Sequence, residues 1–348
     1  VEADSVVSEA KRPATLWDVA ALAGVSHQTV SRVVNDRPNV AAPTRARVLA
    51  AIDALGYLPN VAARNLVTRK SLTVGIASYG NNFFGPSQML AHIETSFRER
   101  GYALTLSTMP TLTPDGLAAA IQDLRARAVD GIVMITPMIT TDLETVRSAC
   151  NGVPFVMVDI DIGLAAPSVV IDQRRGGQLA AEHLLRLGHD KIALIRGPRS
   201  WTGSMLRHAG FTEALSRHGI APALSGTGDW TPASGYQVAT ALLHKRTPFT
   251  ALVAANDEMA LGAIRALHEH GLRVPEDVSV IGFDDTPSSA FFEPPLTTVR
   301  QDFTALGVDA AEYLIEQIDH PERPAKQRVL EPQLVVRRST ARVGPPLD

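Results

Sequence analysis

Residues 15–35 read TLWDVAALAGVSHQTVSRVVN. Thr15 is placed to cap a helix over LWDVAALA, with Asp18 in the first turn, where the helix dipole favours a carboxylate. Gly24 ends that helix. Ser26 is placed to cap a second helix over HQTVSRVVN, and after a Pro/Asn-containing loop Pro43 suits the first turn of a third, TRARVLAAIDALG. Val19, Ala20, Ala23, Val25, Val30, Val33, Val48, Ile52 and Leu55 fall at spacings that can bury one small shared core. Two helices joined by a tight Gly-containing turn make the helix-turn-helix pattern, whose second helix presents its N-terminal residues to base edges.

The polar residues of the second helix suit that use. His27, Gln28 and Thr29 begin it, and Ser31 and Arg32 follow one turn on. Gln pairs with adenine, Arg with guanine or phosphate, and Thr with phosphate or a thymine methyl. On a lone short helix these would be a solvated polar face. The charge balance argues otherwise: residues 11–70 carry nine Lys/Arg against three Asp/Glu, whereas the whole chain has a net charge of −3. A basic head on an acidic body fits a module that approaches phosphates, although basic segments also serve as solubilising tails.

The 348 residues exceed one small domain, and 45% apolar with 20% charged content is that of folded globular chains. From residue 72 apolar strands alternate with longer amphipathic stretches: LTVGIA, YALTLS, GIVMI, FVMV, SVVI, KIALI, ALVA, VSVIGF and RVLEPQLVV. About nine strands in this order predict an α/β body of doubly wound, mainly parallel sheets in two subdomains. No apolar run reaches the roughly 20 residues of a membrane span, and the opening VEADSVVSEAKRP is unlike a secretory signal, so a cytoplasmic protein is expected. The single cysteine, Cys150, lies at the end of an apparent helix and cannot form an internal disulfide or a zinc set, which favours a structural role.

Ligand-binding residues of such sheets collect beyond strand ends. Asp159 follows FVMV, Asn256 follows ALVAA and Asp284 follows VIGF, so three acceptors occupy such places, and Arg207 can brace a hydroxyl or a carboxylate. Each has an ordinary alternative, since Asp and Asn often cap the helix after a strand and Trp or Phe is usually core.

The stretches TLWDVAALAGVSHQTVSRVVN and LGYLPNVAARNL resemble the DNA-binding head and hinge of the LacI/GalR repressor family. The likeness continues through GPSQ at 85–88, GDW at 228–230, ALVAANDEMALGAIRAL at 251–267, VSVIGFDDT at 278–286 and PPLTTVRQDF at 294–303. It spans about residues 12–340. The resemblance implies a helix-turn-helix domain at 12–59, a hinge helix at 60–71 and a periplasmic-binding-protein-like effector-binding and dimerisation domain at 72–340. Its N-subdomain would comprise about 72–172 and 301–330, its C-subdomain about 173–300 and 331–340, with tails at 1–11 and 341–348.

For DNA it implies contacts from Thr15, Leu16, Ser26, His27, Gln28, Thr29, Ser31, Arg32, Asn35, Thr44 and Tyr57, and from Asn60, Ala63, Arg64 and Leu66 of the hinge. Asn60 would cap the hinge helix, Arg64 and Arg69 would meet phosphates, and paired hinge helices would wedge Leu66 into the minor groove at the operator centre. For the effector it implies that Asp159, Arg207, Asn256 and Asp284 bind sugar hydroxyls. Gln301 would close the cleft, and Trp230 and Phe303 would form the apolar wall.

The expected partners are double-stranded palindromic operator DNA, a small sugar effector and a second copy of the chain; no cofactor, metal or membrane is expected. Galactosides come first as effectors. Related β-linked disaccharides come second, because the loop Ser78–Phe84, with Tyr79 and Phe83, is bulkier than the family's galactoside-binding pattern, and Ile135 also departs from it. His27 departs at the start of the recognition helix, so the operator need not match. Without leucine heptads near Asp348 a dimer is expected, with a helix at about 87–100 available for the contact. Two other classes compete: a solute-binding protein shares such a body but needs an export signal, and an enzyme needs a nucleophile, metal set or phosphate loop that the motifs do not supply. His268 and His270 flank Glu269, but alternate helix positions point apart.

Overall fold

Three short helices form the head because each start and stop is chemically marked: α1 (Leu16–Ala23), α2 (His27–Val34) and α3 (Ala42–Leu55). The computed structural model describes residues 12, 14–35, 37–57, 70–138 and 142–343. Thr15 Oγ1 accepts from Asp18 N at 3.3 Å while Thr15 N donates to Asp18 Oδ2 at 2.8 Å, a reciprocal capping box. Gly24 stops α1 at φ 64°, a left-handed conformation that costs a residue with a Cβ more than it costs glycine. Ser26 Oγ accepts from Thr29 N, and Pro43 occupies the first turn of α3.

The head packs around Val19, Ala20, Ala23, Val30, Val33, Val48, Ala51 and Tyr57, with Val25 and Ile52 partly buried at its edge. Val19, Val30 and Val48 are fully enclosed, each contributing about 1.5–3 kcal/mol by burial. Two expectations change. Leu55 is 37% exposed, because it faces outward on the last turn of α3, and Tyr57, expected at the DNA, takes the core position beyond Gly56.

The chain divides after Ser71 into two units, and the second, from Leu72 onward, holds two six-stranded sheets. The first runs in the order β11 (Gln327–Leu330), β5 (Ser168–Ile171), β4 (Phe155–Val158), β3 (Gly131–Ile135), β1 (Thr73–Ser78), β2 (Ala103–Thr108), all parallel. The second runs β12 (Gln333–Val335), β10 (Thr297–Arg300), β9 (Ser279–Asp284), β8 (Ala251–Ala254), β6 (Ile192–Arg196), β7 (Leu224–Thr227), parallel except for β12 against β10. Helices cover both faces. In the first half they are α4 (Phe84–Glu99), α5 (Pro114–Ala126), α6 (Leu143–Cys150) and α11 (Phe303–Asp319). In the second they are α7 (Gln173–Arg186), α8 (Thr202–Ser216), α9 (Pro232–His244) and α10 (Asp257–Glu269). Strands buried on both faces must be apolar throughout, as GIVMI, FVMV and ALVA are.

There are twelve strands among the described residues of this unit rather than about nine. β7 is the edge strand LSGT, too polar to stand out, and β10 is TTVR, whose buried threonines are held by hydrogen bonds. The expected single strand RVLEPQLVV is two strands in different sheets, interrupted at Glu331-Pro332. The expected tail does not begin at Ala341. Ala341 N bonds Ser279 Oγ and Val343 N bonds Leu187 O, which fastens 341–343 to the second half.

The chain therefore passes between halves three times, after β5, β10 and β11, and Gln173 and Gln301 stand at two of these crossings. α7 and α8 lie backbone to backbone: a Cβ at Gly177 would come 2.1 Å from Arg207 O, and one at Gly210 would come 1.9 Å from Arg174 O. That close approach sets the position of Arg207.

Candidate functional sites: the second helix of the head and a cavity between the two sheets

In the head, Ser26, His27, Gln28 and Arg32 are exposed, while Thr15, Leu16, Thr29, Ser31, Asn35 and Thr44 are half-buried. The Thr15 and Ser26 side chains cap helices, and Leu16 packs against the core. Asn35 Nδ2 donates to Ser31 O at 2.8 Å, closing the end of α2, and leaves its Oδ1 without a partner. Beyond the capping Ser26, the exposed side chains of α2 in this set are thus His27, Gln28 and Arg32. His27 lies against Trp17, which is 65% exposed, with ring centroids 4.3 Å apart. This contact was not anticipated; an exposed Trp in the helix before a recognition helix was the available clue. Asn60, Ala63, Arg64 and Leu66, with the rest of 60–69, lie outside the described residues.

In the body, residues from both sheets meet. Asp159 leaves β4 at φ 61°, Asp284 ends β9 at φ 106°, Asn256 caps α10, and Trp230 stands at φ 77°. Three non-glycine residues held at positive φ in one place mark backbone strained around a site. With Arg207, Gln301, Phe83, Phe84, Met89 and Trp201 they line a cavity of about 40 Å3 between the halves. That is room for about three waters.

Arg207 is the centre of a hydrogen-bonded ring. Its Nε donates to Gln173 Oε1 at 2.8 Å, Gln173 Nε2 donates to Gln301 Oε1 at 2.7 Å, and Gln301 Nε2 donates to Asp284 Oδ1 at 2.6 Å. The ring closes where Arg207 Nη2 lies 3.5 Å from the same Asp284 oxygen. Nη1 donates to Ala255 O at 2.5 Å, and the guanidinium lies 3.8 Å from the centre of the Phe283 ring. The arrangement links two interdomain crossings to the ligand cavity. Gln173 was missed from sequence, although it follows strand SVVI by the same strand-end logic that found Asp284.

Arg207 faces three enclosed acids, Asp284, Asp159 and Asp257. Asp159 keeps some accessible surface on the cavity yet sits deep within the protein. Burial pushes its carboxyl up to about 7 against the pull of Arg207, and Asp284 adds to the rise. Burial pushes Asp284 up to about 6, with Arg207 and Gln301 opposing. Behind them Asp257, fully buried, is raised to about 8 by burial and then by Asp284, although Thr298 Oγ1 and Thr286 N bond it at 2.6 and 2.8 Å. Arg207 is itself drawn below its ordinary value by burial and held up by these acids.

Asn256 spends both polar atoms internally, Oδ1 accepting from Met259 N and Nδ2 donating to Trp230 O. It therefore also positions the indole. Trp230 Nε1 is buried without a hydrogen-bond partner, and the residue forms part of the cavity lining.

The apolar wall differs from expectation. Phe303 is not at the cavity: it starts α11, packs into the first half's core and meets Phe84 edge-on at 6.0 Å. Trp201 stands there instead, in contact with Phe83 at 5.4 Å and Trp230 at 5.5 Å. Tyr79 supports Trp201 from behind at 6.0 Å. Thr202 N donates to Pro137 O and Met138 bridges Trp201, so this segment fastens the halves together. Cys150 is the buried last residue of α6, its thiol pushed up to about 12 by burial, as suits a structural role. Among the described residues no His/Cys/Asp/Glu group could hold a metal, and no helix is long and apolar enough to cross a membrane.

Comparison with known proteins agrees with both halves of this description. Residues 15–60 match the lacI family of bacterial regulatory proteins, and residues 181–340 match the periplasmic binding protein-like domain. The chain is 39% identical to the lactose operon repressor of Escherichia coli K12 over 329 residues, covering 94% of this chain and 91% of that protein. It superposes on the lac repressor dimer bound to operator and the anti-inducer ONPF with a TM-score of 0.91 and 38% identity, covering 95% of this chain and 100% of the other. A transcriptional regulator CelR–cellobiose complex gives a TM-score of 0.70 at 33% identity, covering 94% and 99%. With a capped helix-turn-helix in front and a two-sheet ligand cleft behind, the chain belongs to the lacI family, as a DNA-binding transcriptional repressor with a ligand-binding body.

Proposed function

We propose that the chain acts in the bacterial cytoplasm as a homodimeric repressor that holds a palindromic operator and releases it when a small sugar enters the cleft. It regulates and is not an enzyme. The observation that carries the sugar reading is the convergence of Asp159, Arg207, Asn256 and Asp284 on one cavity with the unpaired Trp230 Nε1 beside them: planar polar groups for vicinal hydroxyls and aromatic surface for a C–H face. A galactoside is the first choice, supported by the likeness to the lactose operon repressor. A related β-linked disaccharide is second, supported by the likeness to a regulator complexed with cellobiose and by Phe83 and Trp201 at the cavity.

In this reading Gln28, Arg32 and His27 read the major groove. Thr15, Leu16, Ser26, Thr29, Ser31, Asn35 and Thr44 set the helices against phosphates. Asn60, Ala63, Arg64 and Leu66 make the minor-groove wedge. Tyr57 contributes at most its hydroxyl edge, since its ring is core. A two-fold operator needs two heads, and the likeness to a repressor dimer on operator supports a dimer. Sequencing the DNA that the purified protein retains, with and without a panel of sugars, tests the whole: enrichment of a two-fold motif that lactose or cellobiose abolishes is expected. Retention of no motif, or of one that no sugar affects, would overturn it.

A further inference from the structure

Beside the effector cleft lies a cluster of two arginines and a histidine, Arg196, Arg199 and His208. Arg196 ends β6 on the face that carries Leu194 toward α8, and His208 lies on α8 next to Arg207. Arg196 and His208 line one small cavity of about 20 Å3, enough for a single oxygen-sized group, and Arg207 borders both it and the effector cavity. Gly197 follows directly and is covered by Trp230, to which a Cβ there would come within 2.2 Å. Arg199 stands exposed in the same turn.

Arg196 Nε and His208 Nδ1 are buried without a hydrogen-bond partner, and among the described residues the Arg196 side chain makes one long bond, 3.5 Å, to Thr227 Oγ1. No carboxylate pairs with Arg196, Arg199 or His208 among the described residues, although many other arginines of the body are paired. Burial and then Arg199 draw Arg196 below its ordinary value, and burial followed by Arg196 and Arg199 lowers His208. Two arginines and a histidine that burial and both arginines hold toward its neutral form are left without a counter-charge, and buried polar atoms without partners are uncommon in folded proteins.

We propose that Arg196, Arg199 and His208 form an oxyanion-binding subsite adjoining the effector cleft, which takes a carboxylate or phosphate group. The group is carried by an acidic sugar effector or arrives as a free oxyanion beside a neutral one. The first alternative rests on the sugar-responsive reading above; the subsite itself does not.

The test uses the full chain and the variant R196Q/R199Q, with H208Q as a second, milder change. Thermal midpoints are measured in phosphate and in chloride at equal ionic strength. Phosphate should raise the wild-type midpoint more than that of either variant, while R196Q/R199Q in chloride is no less stable than wild type because a repulsion has gone. The head's basic residues are common to all three proteins and cancel. Tryptophan fluorescence then compares lactose with lactobionate, a galactoside bearing a carboxylate, each with and without phosphate.

An effector-borne oxyanion gives wild type a preference for lactobionate of about tenfold or more that falls below about twofold in R196Q/R199Q. A free oxyanion instead makes phosphate tighten lactose binding in wild type alone. If neither sugar binds but phosphate still separates wild type from the variants, the sugar reading fails and the subsite stands. Equal phosphate responses in all three proteins, with no lactobionate preference, would overturn the subsite.

Discussion

Replacing Arg207 with Ala should remove effector control while leaving the head intact, and its cost to the body should depend on pH. Arg207 supplies one bond to Gln173, one to Ala255 O and, among the described residues, the cationic neighbour of Asp159 and Asp284. Without it the ring Gln173–Gln301–Asp284 is open. At pH 5.5, below the about 7 and about 6 to which burial raises the two carboxyls, the protonated forms predominate, so the loss is chiefly that of the hydrogen bonds, about 1–3 kcal/mol.

At pH 8 the acids must either ionise without a counter-charge or retain protons above their own range. Holding a carboxyl protonated costs about 1.4 kcal/mol for every pH step of one above that range, and the total approaches the roughly 3–5 kcal/mol of a broken buried pair. The sign is fixed by linkage: these carboxyls bind more protons folded than unfolded, so native stability falls as pH rises through their folded range, and falls further without Arg207. Urea midpoints of wild type and Arg207→Ala at pH 5.5 and 8, with operator titrations in the presence of lactose, measure all of this. A variant equally destabilised at both pH values, or one still released normally by sugar, would refute the reasoning.

Gln28→Ala and Arg32→Ala, singly and together, should relax sequence preference by about 1–3 kcal/mol for each base read, measured by competition against scrambled DNA; unchanged preference in the double variant would mean that α2 does not read bases. Gly177→Ala puts a Cβ 2.1 Å from Arg207 O, so it should destabilise the body by about 1–3 kcal/mol or more and weaken sugar binding without affecting the isolated affinity of the head for DNA. Trp201→Ala should open the cavity and broaden the range of sugars bound, seen by titration with mono- and disaccharides, whereas an unchanged range would place Trp201 outside the ligand path. Phe303→Leu should lower the thermal midpoint through the first half's core and leave sugar affinity within about twofold, since the ring packs on Phe84 rather than lining the cavity.

The head was legible because its information is local: a Thr-x-x-Asp cap, a Gly stop, a Ser cap and a Pro-led third helix each act within one turn. Strands buried on both faces were legible for a related reason, since apolar runs have few other uses. β10 was hidden because Thr297 and Thr298 are buried through bonds to Ser339 and Asp257, partners distant in sequence. The break at Glu331-Pro332 was hidden because only topology sends the two flanking strands to different sheets.

In the site, Asp159, Asn256 and Asp284 could be found from strand ends alone. Gln173 and Trp201 could not be ranked, because a helix-start Gln is ordinarily solvated and a Trp ordinarily core until crossing segments bring them to the cavity. Phe303 follows Gln301 closely, but the start of α11 turns its ring into the first half. Tyr57 shows the same limit in the head, where the turn at Gly56 directs the ring inward.

In the proposed repressor one conformational equilibrium is shared by cleft and operator. The direct measurement is a thermodynamic cycle: sugar affinity with and without saturating operator, and operator affinity with and without saturating sugar, in one buffer. Linkage requires the two ratios to be equal, and a coupling of about 1–3 kcal/mol, or roughly 5–150-fold, with the unfavourable sign in both directions is expected. Sugar that tightens the operator complex, or binding of each ligand unaffected by the other, would contradict the account.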